Sequence, residues 1–363
     1  MRHLASIQKI EWIRPIEGKD RIVLAGVLGW QVIVQKDQFN VGDLCVYVEI
    51  DSQLPEKPEF EFLRPKKFRI RTMKMSGVRS EGICFPLSIL PARDKPYELD
   101  EDVTEIMGVV KYEPQEDEKW WNDLKEAPAE KPWLHKLPLM RFAWYRRLVG
   151  AKGKSKGGFP DFISKTDETR IQNCPWILED KEHPWIATEK IDGTSGTFAL
   201  VRHKRFLLPD KFEYIVCSRN LRLQRDNSIY WQVSDFYLIE ECLKNLIGNR
   251  DWVAIQGECI GPKIQKNKYK RDNPELYVFN LIYPEGRRGS LFAKGLLESR
   301  GFNFVPIVSE KFMLPDTVDE MLAAAHGNSA LGHTIREGLV VRSEDGSKSF
   351  KAVDPEFLLK YGE

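Results

Sequence analysis

Leu44-Cys45-Val46-Tyr47-Val48-Glu49-Ile50 is the stretch that most restricts how the N-terminal third can fold. It is apolar almost throughout, as in a strand covered on both faces. Leu4 to Ile13, Ile22 to Val27 and Trp30 to Val34 share its β-branched and aromatic character. Gly18, Gly26 to Gly29, Asn40 to Asp43 and the prolines at 55 and 58 punctuate them. Short strands at this spacing predict an all-β unit over residues 1–108. Units of this size are commonly barrels, because closure removes exposed edges.

A chain of 363 residues has room for about two domains. Its net charge is +1, so no global field attracts nucleic acid and any basic footprint must be local. Arg64, Lys66, Lys67, Arg69, Arg71, Lys74 and Arg79 form such a cluster, with no acid among them and with Phe68, Met73 and Met75 interleaved. This reads either as a face that follows a phosphate backbone or as an edge strand protected by charge. Residues 109–158 read as a linker, acidic over 111–130 and then basic from Leu137 to Gly158 with an aromatic helix face. The basic part suits a clamp on nucleic acid or a solubilising loop. The remaining domain is 159–363.

Six cysteines at 45, 84, 174, 217, 242 and 259 make no C-x-x-C pair, which disfavours zinc. No secretory apolar region opens the chain, so reduced thiols and a cytoplasmic location are expected. No apolar run approaches the ~20 residues that span a bilayer, so no membrane partner is expected.

Strands and helices alternate irregularly after Phe159, which predicts an α+β domain. Trp185 to Lys190, Phe206 to Leu208, Glu213 to Ser218, Trp252 to Glu258, Glu275 to Ile282 and Glu337 to Ser343 read as strands, and Ile229 to Gly248 as a helix. Lys190-Ile191-Asp192-Gly193 places a lysine at a strand-to-turn junction, where burial can make it a nucleophile. This pattern alone occurs by chance in roughly one chain in ten of this length. Other strand ends repeat the theme. Arg219 closes one strand, Glu258 ends a buried one, and Glu337 opens another. Phe279 lies in a strand, and Lys351 follows a hairpin later. Each alone fits a charge facing water or a core aromatic.

Taken together and in order, these residues resemble the motifs of the covalent nucleotidyltransferase superfamily of polynucleotide ligases and capping enzymes. Glu189 directly before the lysine and Gly261-Pro262-Lys263-Ile264-Gln265-Lys266 resemble its RNA-ligase branch. Three further segments are similar to the fifth RNA-ligase family, which carries an N-terminal OB domain. They are Arg2 to Ile10, Leu28-Gly29-Trp30-Gln31-Val32 and Lys165 to Asn173. The likeness spans essentially the whole chain, with 111–158 contributing least. It implies an α+β nucleotidyltransferase domain, the ATP-grasp-like ligase adenylation fold, preceded by an all-β OB-fold barrel. Only twelve residues follow Lys351, so the OB domain is expected before the catalytic domain.

The resemblance implies an ATP-dependent RNA ligase that joins 3′-OH and 5′-phosphate ends in three steps. Lys190 attacks the ATP α-phosphate, AMP passes to a 5′-phosphate end, and a 3′-OH displaces it. An ordinary lysine titrates near 10.4 and must lose its proton to attack, which burial and nearby cations assist. Asp192, Glu258 and Glu337 are implied to hold Mg²⁺ or Mn²⁺. Lys351 neutralises the α-phosphate, and Arg219 holds the ribose or 5′-phosphate. Phe279 stacks on adenine, Glu189 accepts from its amine, and Gly193 shapes the turn. Ser195 lies near the reacting phosphate, and Arg170 serves the ATP phosphates or the fold. Lys263, Lys266, Lys268, Lys270 and Arg271 form a basic loop that meets nucleic acid or water.

One position departs from the family pattern. A second lysine usually follows two places after Lys351, where this chain has Val353. Lys348 is the candidate replacement. With no C-terminal OB motif, pyrophosphate must be oriented by a second metal ion or by the N-terminal domain. The expected partner is a nicked duplex RNA or RNA/DNA hybrid, the expected role RNA repair and the expected state a monomer. A capping guanylyltransferase and a non-catalytic OB-fold nucleic-acid-binding protein are the alternatives.

Overall fold

A computed structural model describes residues 3–112 and 158–361 of the chain. The acidic and basic stretches read between 111 and Gly158 therefore lie almost wholly outside the described residues.

The first domain is built on β1 (Ala5–Pro15), β2 (Ile22–Val27), β3 (Trp30–Gln35), β4 (Leu44–Val48) and β5 (Ile83–Pro86). They form one antiparallel sheet in the order β3-β2-β1-β4-β5. The first half of β1 pairs with β4 and the second half with β2, with a bulge between Ile10 and Trp12. Changing partners along one bulged strand bends it, and the sheet curls. Two bonds tie β3 to Ser80 and Glu81, just ahead of β5. Glu81 N donates to Gln31 O at 2.8 Å, and Ile33 N donates to Ser80 Oγ at 3.0 Å. The expected barrel is thus a half-barrel, joined there by single bonds in place of a full ladder. Ile7, Ile10, Trp30, Val46 and Val48 fill it.

The basic cluster from Arg64 to Arg79 is broken into a 3₁₀ turn (Pro58–Lys66) and short strands. Arg64 pairs with Glu61 at 2.5 Å, Arg69 lies over the Tyr112 ring and Arg79 approaches Asp319. Lys67, Arg71 and Lys74 remain exposed and form no ion pair among the described residues.

The second domain has two sheets. The larger contains β7 (Thr194–His203), β8 (Lys211–Cys217), β9 (Trp252–Ile260) and β10 (Glu275–Tyr283), in the order β8-β7-β9-β10 with three short strands at its margins. The smaller contains β6 (Trp185–Lys190), β11 (Ile307–Phe312), β12 (Gly338–Ser343) and β13 (Ser349–Val353), in the order β11-β6-β12-β13.

Two expected elements differ. Phe206-Leu207-Leu208 is an exposed turn, because the flanking strands stop at His203 and resume at Lys211. The single helix expected over Ile229 to Gly248 is two, Ile229–Phe236 and Ile239–Leu246. Leu238 between them has φ 50°, which no helix accommodates. The break leaves Ile239, Leu243 and Leu246 buried. Among the described residues, no helix is long and apolar enough to cross a membrane.

The domains dock tightly. Val353 and Leu358 belong to the same apolar cluster as the OB strands. Trp30 Nε1 donates to Asn173 Oδ1, Asn173 Nδ2 donates to Glu49 Oε1, and Gly29 N donates to Gln172 O.

Candidate active site

β6 lies in one sheet and β7 in the other, and residues 191–193 step between them. Lys190, last in β6, therefore stands at the seam. The ladders bring the acids to it. Lys190 pairs in register with Gly338, next to Glu337, and Ser195 pairs with Glu258. Lys190 Nζ donates to Glu337 Oε2 at 2.7 Å. The turn is packed so closely on β9 that a Cβ at Gly193 would lie 2.4 Å from Cys259 O and 3.0 Å from Glu258 Cγ. Only glycine permits that approach.

Charge in this half of the cleft is lopsided. Burial works against the Lys190 ammonium, but Glu337, Glu258 and Asp192 outweigh it and hold its pKa above the ordinary value. Burial pushes the Glu258 carboxyl up, to about 8, with Lys190 opposing and Glu337 adding to the rise. The Glu258 side chain makes no hydrogen bond or ion pair among the described residues, so its carboxylate oxygens have open acceptor capacity. Two carboxylates around one ammonium, one of them unpartnered, form a hard oxygen donor set that fits Mg²⁺ or Mn²⁺.

Asp192, expected in that set, is committed to another cation, although its charge still reaches Lys190. Its carboxylate is ion-paired with Lys268, and both side chains are buried. Asp192 N donates to Tyr269 Oη at 2.9 Å. Among the described residues no three acids, histidines or cysteines are grouped as a metal site. Lys268 itself is a correction: it turns inward, while Lys263, Lys266 and Lys270 stay exposed and Arg271 pairs with Glu275 at 3.4 Å.

The opposite half is basic. Lys351 Nζ donates to Asp167 Oδ1 at 2.7 Å, and Arg219 lies 3.3 Å from the same oxygen. Burial raises the Asp167 carboxyl, but Lys351 and Arg219 outweigh it and hold it well below the usual range. Burial pushes the Lys351 ammonium down to about 8 against the pull of Asp167, and Arg170 and Lys190 lower it further. Arg170 is buried and donates to Asp51 Oδ2 of the OB domain at 2.7 Å, while its Nε and one Nη have no partner. Of the two roles left open for Arg170, it visibly serves the domain seam. Ser195 Oγ bonds Thr166 Oγ1 at 2.8 Å, tying β7 to this wall.

Two expected contacts, Glu189 and Lys348, are engaged elsewhere, and Phe279 sits on a bulge. Glu189 alternates to the other face of β6, where it accepts from Ser329 Oγ at 2.5 Å and Ala330 N at 2.9 Å. It braces that loop with two of its acceptor positions. Lys348 is held by Asp180 at 2.5 Å and does not stand in for a second lysine beside Lys351. Val353, where that lysine is usual, is buried against the OB domain. Phe279 is the extra residue of a bulge, since Gln256 pairs with Asn280 and Gly257 with Val278. The bulge leaves its ring half-buried, with the Arg342 guanidinium 5.8 Å away.

Sequence reasoning gave no role to Thr166, Asp167, Glu168 or Arg342. Glu168 gathers Ser349 Oγ at 2.5 Å, Arg287 at 3.0 Å and Arg342 at 3.1 Å. A signal existed for Arg342: a charge inside Leu339-Val340-Val341-Arg342 must find a buried partner.

Known proteins match this chain in sequence and fold. Residues 4–87 match an OB-fold domain family, and residues 183–361 match the RNA ligase family. The RNA ligase of Naegleria gruberi with pyrophosphate superposes with a TM-score of 0.79 at 30% identity, covering 100% of this chain and 99% of that one. A Glu-to-Ala variant of that ligase with ATP and Mn gives the same TM-score and identity over 100% of both chains. Another Glu-to-Ala variant, with AMP and Mn, gives 0.78 at 30% identity over 99% of each. No curated protein matches by sequence.

Proposed function

The chain belongs to the RNA ligase family, and from that premise we propose that it is an ATP-dependent ligase sealing 3′-OH/5′-phosphate breaks in nicked duplex RNA or RNA/DNA hybrids. The observation that carries this reading is the split cleft. Lys190 sits among Glu258 and Glu337 on one side, and Lys351 and Arg219 stand on the other.

Lys190 Nζ is the nucleophile toward the α-phosphate of ATP, with pyrophosphate leaving. Its proton has Glu337 Oε2 as acceptor at 2.7 Å. Glu258 and Glu337 are the residues that would hold Mg²⁺ or Mn²⁺, whose charge would relieve the carboxylates and the phosphate. Lys351 and Arg219 bind phosphate oxygens, and the two unpartnered donors of Arg170 extend that basic wall. Phe279 offers a ring for the base. AMP then moves from Lys190 to a 5′-phosphate end, and a 3′-OH displaces it to seal the strand. The exposed Lys67, Arg71 and Lys74 of the OB domain suit a duplex backbone. RNA repair by a monomer in the cytoplasm fits this substrate and the free thiols.

Labelled nucleotide tests the reading. With Mg²⁺ or Mn²⁺, label from the adenylate of ATP becomes covalently attached and Lys190→Ala abolishes it. Label taken from GTP alone, or nick sealing that survives Lys190→Ala, overturns it.

A further inference from the structure

Lys268 was expected in a basic loop that meets nucleic acid or water, yet its side chain is buried against a buried acid. Its ammonium lies 4.9 Å from the Phe357 ring and 4.6 Å from the Tyr361 ring, both on the helix Pro355–Tyr361. Stacking a cation under two rings is favourable where water is excluded. Tyr361 is fixed in turn by a 2.7 Å bond to Thr334 Oγ1. The next residue, Tyr269, takes the Asp192 backbone N–H. Thus the loop grips Asp192 by both its carboxylate and its backbone.

The backbone that achieves this is contorted. Lys263, Gln265, Lys266, Asn267 and Lys270 all have positive φ, between 43° and 68°. Left-handed geometry in non-glycine residues persists only where the surroundings enforce it. Asn267 supplies part of that enforcement, donating to Arg271 O and accepting from Arg271 N, each at 2.9 Å. Asp192 is two residues from Lys190, inside the step that carries the chain between sheets.

Resting on the ligase reading, we propose that Lys268 is a positioning residue for lysine adenylylation. Its ammonium, clasped by Phe357 and Tyr361, fixes the Asp192 carboxylate and so aims Lys190 into the cleft. It acts through Asp192 and touches no substrate. Removing it takes the Lys268 ammonium from a buried carboxylate, and the turn must adjust to the loss of that ion pair.

The test compares Lys268→Met, Lys268→Arg, Asp192→Asn and the double variant Asp192→Asn/Lys268→Met in the full chain. Lys268→Met is expected to lower kcat for adenylylation by roughly 30-fold or more, with KM for ATP within about threefold. Lys268→Arg, which keeps the charge, recovers much of the loss. Sealing of a pre-adenylylated nick, which needs no attack by Lys190, stays within about threefold. In the Asp192→Asn background the second change adds little, because coupled residues are not additive. Equal loss in both reactions, or losses that multiply in the double variant, overturn the proposal. A wild type that takes no label from ATP refutes the ligase reading. A labelled wild type matched by Lys268→Met refutes only the role given to Lys268.

Discussion

Two lysines, Lys351 buried and Lys190 half-buried, face one seam, and their surroundings push them in opposite directions. Lys190 stands among Glu337, Glu258 and Asp192, which keep its ammonium charged despite burial. Lys351 has the acid Asp167 and the cations Arg170 and Lys190 nearby, and burial takes it down to about 8. The difference shows that a KxDG lysine is not made nucleophilic by its pocket alone. The acid half must first be relieved of negative charge, and it is the half with an unpartnered carboxylate to receive a cation. The basic half is already set to receive phosphate. Each half is poised for a ligand of opposite sign, and the pair of ligands makes one salt, metal with nucleotide.

The largest effects should come from the acid half. Glu258→Gln and Glu337→Ala are each expected to slow adenylylation on the order of a hundredfold or more. Their dependence on Mg²⁺ or Mn²⁺ concentration should move to higher values. Titrating metal against rate of covalent label checks this. Curves that match the wild type would dissolve the distinction between the halves.

An intermediate effect is expected from Asp167→Asn, about tenfold to a hundredfold on adenylylation. Lys351 and Arg219 lose the acid that fixes them. The sign with pH is specific. Asp167 raises the Lys351 pKa, so removing it lets that pKa fall below about 8. The variant should lose more activity at pH 8 than at pH 6.5, as Lys351 becomes neutral earlier. A constant ratio to wild type across that range would mean Asp167 acts only through geometry.

Much of this was legible in the sequence where a residue's role is written in its own strand. Lys190, Glu258, Glu337 and Lys351 end or interrupt apolar runs, and a charge there needs a site. The OB strands were legible for the same reason, through Leu44 to Val48. Asp167 and Glu168 were not, because they sit in an extended segment with no periodicity, and their partners lie far along the chain. Glu189 and Lys348 show the converse failure. Both sit near residues of the candidate site, yet strand alternation turns Glu189 away and Lys348, just before β13, is held by Asp180. Lys268 looked like its exposed neighbours, since inward rotation of one loop residue leaves no trace in composition. Leu238 hid a helix break because apolar spacing keeps its phase across a single left-handed residue.

The smallest effect is on stability, and it carries the same contrast. The Glu258 pKa is raised from an unfolded value near 4.5 to about 8. Its contribution is full below pH 4.5 and is lost as pH rises through 8, since the folded state binds the extra proton in that window. Lys351 has the opposite sign. Its pKa is lowered from 10.5 to about 8, so the unfolded chain binds more protons between those values and stability rises there. In metal-free buffer, the melting temperature should fall by about 5 °C from pH 5 to 8. Glu258→Gln should flatten that fall, and saturating Mn²⁺ should do the same by pairing the ionised carboxylates. Lys351→Met should leave the fall intact and remove an upward component above pH 8. The carboxylates held low, such as Asp180 at about 2, titrate below the window and do not confuse it. An unaltered slope in Glu258→Gln would show that the strain of the acid half resides elsewhere, with the buried Glu189 and Glu81, whose pKa values burial also raises, as the next residues to vary.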